Sequence, residues 1–289
     1  MGNSALKRKL KEEEHYEYLQ LPESLARSLD FENKSDYKGV KARYNYIKSF
    51  FQDHSFEQIV NIGGNCGYYS LSLLDDKLAE KAIVYDIKSD ILELGEYMAE
   101  AMGLADRCKF AEKMINLDEL KTLPDSDVLI CQNVIHHAGD YFDEEKVKDM
   151  GWGNYINVFL EKLREKYEYA VLAVGFKWNK PKYWDVNKSD RRRIFTDILN
   201  SSGWKIISDA NVYNLMVSDD THYNKFKPEN AADFDKSDLG YLWDLITFNA
   251  IKHASILLGS KTEKVKTSVP ALTEMAREIA KSYQIYLLE

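Results

Sequence analysis

Val60-Asn61-Ile62-Gly63-Gly64-Asn65-Cys66-Gly67-Tyr68-Tyr69-Ser70 carries an apolar strand straight into a glycine-bearing turn and then into a helix. Gly63 and Gly67 let the backbone turn tightly and approach a ligand with no Cβ in the way. Asn65 is among the few other residues that visit left-handed geometry cheaply. The amides that open the following helix then face the ligand, so the layout builds a cradle for a nucleotide-type molecule. Its spacing differs from the dinucleotide pattern G-x-G-x-x-G, because Asn65 stands at the second glycine and Tyr68 at the third.

Two further stretches belong with the loop. The apolar run Ala82-Ile83-Val84-Tyr85 ends in Asp86, close to the interval of about 20 residues at which an acidic side chain accepts hydrogen bonds from a ribose diol. Asp127-Val128-Leu129-Ile130-Cys131-Gln132-Asn133-Val134-Ile135-His136-His137 is a buried-type strand that stops at a polar pair and then at two histidines. Imidazole titrates near neutral pH, so His136 or His137 is a candidate general base; packing or capping of the next helix is the other role open to them. Adjacent histidines at a strand end point to opposite sides and no third ligand stands nearby, so no metal site is expected. Asp125-Ser126-Asp127 directly precedes the strand and reads as turn chemistry.

From residue 58 strands and helices alternate. Strands are expected near 58–62, 81–86, 107–111, 127–132 and 168–175, and helices near 67–79, 89–103, 143–165 and 189–202. Such alternation implies parallel strands with crossover helices on both faces. Lys205 to Val212 and Tyr213 to Ser218 are expected to supply the last two strands. Residues 1–54 read as an N-terminal helical cap broken near Pro22, 55–218 as the α/β core and 219–289 as a C-terminal helical extension. In that extension Ser237 caps one helix, and Pro270 opens a last one carrying Leu272, Met275, Ile279, Tyr283 and Tyr286.

The loop resembles motif I of class I S-adenosylmethionine-dependent methyltransferases, whose pattern is an acidic residue, any residue, then glycines at alternate positions. The form Gly-x-Asn-x-Gly-Tyr-Tyr-Ser is similar to that of FkbM-type methyltransferases, many of which act on hydroxyl or carboxyl groups of small molecules and glycans. Val134-Ile135-His136-His137 resembles the region after the fourth strand of the same superfamily. The resemblance covers roughly residues 55 to 218. It implies a Rossmann-like, mostly parallel seven-stranded sheet with helices on both faces, its last strand antiparallel, and helical appendages at either end. It also implies S-adenosyl-L-methionine as cofactor. Asn61, Gly63, Gly64, Asn65 and Gly67 would seat its amino-acid end, Asp86 its ribose, and Ile87, Met114 and Ile115 the faces of its adenine. Asn133, beside Gln132, would meet the methionine end. The implied acceptor is a small molecule or glycan, methylated at oxygen. Asn61 stands where the pattern has an acidic residue and Asn65 replaces its middle glycine, which leaves open a noncatalytic protein that uses the fold as a binding or scaffold module. A looser likeness, carried by the histidine-bearing strand end and by Tyr37-Lys38 to Arg43-Tyr44, is to tRNA wobble-uridine alkyltransferases.

Composition narrows the partners. With 45% apolar residues in 289 the chain can bury a sizeable core. No uncharged apolar run is long enough to span a bilayer, and Lys7-Arg8-Lys9 is followed by Glu12-Glu13-Glu14 rather than by a signal core, so a cytoplasmic protein with no membrane partner is expected. Cys66, Cys108 and Cys131 are an odd number without close pairing and suit a reducing compartment. The net charge is −8, and residues 75–150 hold 19 acidic against 9 basic residues. Lys177, Lys180, Lys182, Lys188 and Arg191-Arg192-Arg193, interleaved with Phe176, Trp178, Tyr183 and Trp184, form either a weakly basic face for an anionic partner or, in the arginine run, the solvated first turn of a helix. An acidic chain of this kind is not favoured for nonspecific nucleic-acid binding.

Overall fold

The computed structural model describes residues 3–12, 19–31, 33, 39–175, 183–187, 190–211 and 283–288. Among them β1 (Phe56–Ile62), β2 (Ala79–Asp86), β3 (Cys108–Glu112), β4 (Ser126–Gln132), β5 (Tyr167–Gly175), β6 (Ile206–Asn211) and β7 (Tyr283–Leu288) form one sheet in the order β3-β2-β1-β4-β5-β7-β6. β1 to β5 are parallel, and β7 runs antiparallel to both β5 and β6.

The sequence dictates burial on both faces. Along β4, Val128 and Ile130 join one core while Leu129 and Cys131 join the other, and all four are shut off from solvent; side chains alternate across a strand, so a continuous apolar run needs two covers. One cover is made by α1 (Asn3–Glu12), α2 (Glu23–Leu29), α3 (Val40–Phe51), α4 (Tyr68–Asp75) and α5 (Ser89–Ala101), through Leu6, Leu25, Ile47, Leu71 and Met98. The other is made by α6 (Glu144–Met150), α7 (Trp152–Arg164) and α8 (Arg191–Ser201), through Val147, Trp152, Phe159, Leu163 and Phe195. The strand order reverses between β1 and β4, which opens a crevice at the carboxyl ends of those two strands, the usual ligand position in an open α/β sheet.

Two sequence expectations need correction. The single helix expected over 143–165 is two helices, because Gly151 takes φ +75° and turns the chain between α6 and α7. The final strand is Tyr283–Leu288, not the end of a C-terminal helix, so the expected extension over 219–289 gives its last residues to the sheet. Tyr283 and Tyr286 fit a helical stripe by spacing. Yet Ile285 and Leu287 enter the first core while Tyr286 and Leu288 enter the second, a two-sided burial that the slot between β5 and β6 supplies. The expected strand Tyr213–Ser218 and the helices from Ser237 and Pro270 fall in 212–282, outside the described residues.

Because β7 fills an interior slot, we expect a chain ending at residue 282 to lose cooperative unfolding in circular dichroism. Ile285→Ala keeps the strand and should cost about 2–5 kcal/mol in denaturant titrations.

Candidate active site

β1 ends at Ile62 and the loop that follows holds three residues with positive φ: Gly63 at 65°, Asn65 at 57° and Gly67 at 79°. Gly63 is obligatory for space as well as for conformation, since a Cβ there would lie 2.3 Å from Val134 Cγ2. Asn65 stabilises its own left-handed geometry, its Oδ1 accepting the Cys66 N–H at 2.8 Å. The Asn65 N–H donates to Asp86 Oδ2 at 2.9 Å. Asp86 Oδ1 accepts from the N–H groups of Ile87 at 2.8 Å and Lys88 at 3.2 Å, and Gly64 N–H bonds the Tyr85 carbonyl at 3.0 Å. The loop is thus stitched to the end of β2, with the partly buried Asp86 carboxylate at the seam. Asn61 lies beneath it: its side chain is buried, its Nδ2 donates to Ser70 Oγ at 3.1 Å, and a Cβ on Gly64 would meet it.

The expected adenine neighbours separate. Lys113 N–H bonds the Asp86 carbonyl at 2.8 Å and so draws the end of β3 to the same edge. There Ile87 and Met114 are about half exposed, whereas Ile115 is buried in the second core.

At the end of β4, Asn133 adopts φ +59°, bonds the Ala173 carbonyl of β5 through its N–H, and keeps its Oδ1 buried without a partner among the described residues. Ile135–His137 forms a 3-10 turn, and the two imidazoles lie 4.2 Å apart. They are not equivalent. His136 is 3% exposed, its Nδ1 has no partner among the described residues, and burial, assisted by His137, pushes its pKa down to about 3. A group so weakly basic is a poor proton acceptor at neutral pH. His137 is half-buried and stacks parallel on Tyr141 at 4.4 Å; burial lowers its pKa, and the Asp140 carboxylate opposes that. Of the two it is the more open to solvent.

No protein-family model matches the sequence, and no curated protein matches it significantly. Solved structures do. The chain is similar to a Galdieria sulphuraria protein assigned as a sarcosine dimethylglycine methyltransferase, with TM-score 0.51 and 11% identity over 93% of this chain and 91% of that one. It is also similar to the [4+2]-cyclase SpnF, with TM-score 0.50 and 9% identity over 89% of this chain and 84% of that one. The chain has the class I methyltransferase fold.

Within the methyltransferase fold the crevice between β1 and β4 brings the Gly63–Gly67 loop, Asp86 and Asn133 to one edge of the sheet, as their sequence positions led us to expect. The arginine run does not make a free basic face. Arg191 is buried against the Val186 carbonyl, Arg192 pairs with Asp209 at 2.5 Å, and Arg193 pairs with Asp190 and Asp197 at 3.3 and 3.4 Å. Lys177, Lys180, Lys182 and Lys188 lie outside the described residues. Asp127 is structural, its Oδ2 accepting the N–H groups of Glu57 and Gln58. Arg43, named in the sequence only within the stretch Tyr37-Lys38 to Arg43-Tyr44, is 4% exposed and bonds Gln132. The signal was its place on the apolar stripe of Val40, Tyr44, Ile47 and Phe51, where an arginine is out of character.

His136 also makes a pH prediction. Its depressed native pKa of about 3 lies below the unfolded value of 6.5, so the unfolded chain binds the extra proton first. Its contribution is constant above that value and stability falls as pH drops toward 3. His136→Gln should flatten the decline in denaturant midpoint between about pH 7 and pH 5, above the range where most carboxylates protonate.

Proposed function

We propose that this chain is an S-adenosylmethionine-dependent methyltransferase acting on a small-molecule or glycan acceptor at oxygen. The observation that carries this is Asp86, whose carboxylate sits at the end of β2 bonded to the positive-φ loop at the reversal of strand order. The residues present fit the cofactor. The buried Asn133 Oδ1 has no partner among the described residues, and Ile87 and Met114 stand about half exposed. S-adenosylmethionine would supply an electrophilic methyl group on a sulfonium.

The chain's own part is placement and proton handling. Asp86 keeps a lone pair on Oδ2 for a ribose hydroxyl beyond the three that its amide bonds use. Ile87 and Met114 cover the faces of the base and exclude water. His137, held neutral by burial, takes the acceptor's hydroxyl proton on an imidazole nitrogen. Much of the rate then comes from orientation in a dry site. The pairing of Arg191–Arg193 with acidic side chains and carbonyls, together with the acidic stretch over 75–150, favours a neutral small acceptor over a tRNA, which calls for an open basic surface. A noncatalytic binding module is the second reading, favoured by Asn61, whose neutral amide is turned under the loop.

Calorimetric titration with S-adenosylmethionine and S-adenosylhomocysteine tests the first. We expect micromolar binding that collapses in Asp86→Ala, with thermal unfolding run alongside because Asp86 also pins the loop. Folded wild-type protein that binds neither would sink the proposal. With hydroxylated small molecules and oligosaccharides as acceptors, scored by release of S-adenosylhomocysteine, His137→Ala should cut turnover by about 10²–10⁴-fold while leaving cofactor affinity unchanged. Binding without turnover of any acceptor would favour the noncatalytic module.

A further inference from the structure

The turn between β4 and α6 is built around His137. The His137 carbonyl accepts the N–H groups of Asp140 at 3.0 Å and Tyr141 at 2.9 Å, and the Gly139 N–H bonds the Phe142 carbonyl at 2.8 Å. Tyr141 is thereby laid on the imidazole, with 4.4 Å between ring centroids and 5° between planes. That contact takes up one face of the phenol ring. Tyr141 is nevertheless 63% exposed, so its opposite face is open to solvent.

A second tyrosine is held against the same turn. Gly139, at φ +85°, has no room for a Cβ, which would lie 2.8 Å from Val147 Cγ1 and 3.3 Å from Tyr183 Cδ2; its bare backbone admits the Tyr183 ring. Tyr183 OH donates to Glu144 Oε1 at 2.9 Å, and the Tyr183 carbonyl accepts the Trp152 N–H at 3.4 Å. Tyr183 takes φ +64°, a left-handed geometry that a bulky side chain adopts only where its surroundings impose it. Even so, 38% of its surface stays exposed. The two tyrosines follow β4 and β5, whereas the Gly63–Gly67 loop and Asp86 stand at the ends of β1 and β2. They therefore lie across the crevice from the residues assigned to the nucleoside.

We infer that Tyr141 is a stacking platform for the acceptor, and that the ring it binds is the neighbour of the unit that is methylated. This deepens the methyltransferase proposal, in its glycan form, and rests on it. A ring stacked on the open face of Tyr141 lies about 4.5 Å further out, two layers above the imidazole. A base has to come within about 3 Å of the group whose proton it takes. A hydroxyl on the stacked ring is therefore too far from His137, while a hydroxyl on the adjoining unit can pass the rim of Tyr141 to the edge of the imidazole, where its nitrogens lie. The approach over the other imidazole face is narrowed by His136, whose ring centroid is 4.2 Å away. Tyr183 bounds the platform on the Gly139 side. Sugar and aromatic rings both offer a flat face to a phenol, and the exposed carboxylates of Asp140 and Glu144 suit neutral hydroxylated units over anionic ones.

The test uses methyl glycosides, p-nitrophenyl glycosides and disaccharides built on the same set of hexoses, titrated calorimetrically into the full chain in the presence of S-adenosylhomocysteine. A methyl glycoside offers one ring and the other two offer a second. For the hexose that binds, a two-ring form should bind about tenfold more tightly than the methyl glycoside, and the nitrophenyl and disaccharide arms show whether the platform prefers an aromatic or a sugar ring. Tyr141→Ala should bring that ratio to within about twofold of unity, and Tyr141→Phe, which keeps the ring, should retain it. Thermal unfolding and S-adenosylhomocysteine affinity of each variant separate lost folding from lost recognition. Wild type that binds one-ring and two-ring forms alike, a Tyr141→Ala variant that keeps the ratio, or wild type that binds S-adenosylhomocysteine but no glycoside would overturn the platform and leave the methyltransferase proposal standing. Wild type that does not bind S-adenosylhomocysteine would overturn both.

Discussion

A sheet whose strands are apolar on both sides has no face to leave to water, and the rest of this molecule is arranged around that constraint. β1, β4 and β5 send side chains into two separate cores, so helices have to cover both faces, and each crossover brings the chain back to begin the next strand at the same edge. The opposite edge is left to the loops. Where successive crossovers pass to different faces, between β1 and β4, neighbouring loops diverge and a crevice opens. The candidate site is a consequence of how the sheet is covered.

The loop at that crevice is already ordered. Asn65 and Asp86 are joined by a backbone amide and a carboxylate, and Asn65 satisfies its neighbour's N–H with its own side chain. A loop fixed in this way gives up little further conformational freedom when a ligand arrives. Burial sorts the titratable groups around it. His136 is held neutral deep in the second core's margin, while His137, one residue on, keeps enough solvent to exchange a proton. The thiols of Cys66, Cys108 and Cys131 are pushed up to about 12 by the same desolvation, which keeps them protonated and unreactive.

The fold sets the stage and leaves the reaction to side chains. A methyltransferase and a [4+2]-cyclase both resemble this chain at about the same level, so what is done at the carboxyl edge depends on which groups stand there. In this chain those groups come from four strand ends and from α3, because the Arg43 guanidinium crosses from the N-terminal helices to the tip of β4. Burying a cation is costly unless its donors are met. The Gly39 carbonyl and Gln132 Oε1 each accept from it, and the Tyr69 ring lies beside it.

The alternation of strands and helices over residues 58–202, the glycine turn and the acidic residue at the end of β2 were legible in the sequence, since each is a local pattern whose physics acts within one turn or one strand. So was the place of Asn133, because a polar residue directly after a buried parallel strand falls at the carboxyl edge of the sheet, where the crevice lies. The seventh strand was not legible. Six residues with mixed aromatic and aliphatic spacing fit a helix or a strand equally well, and only an open slot between β5 and β6 decides between them. Nor did the sequence distinguish His136 from His137, Met114 from Ile115, or the buried Arg43 from a surface arginine. Those differences are matters of solvent access and of partners distant in the chain, and they come into being only when the elements pack.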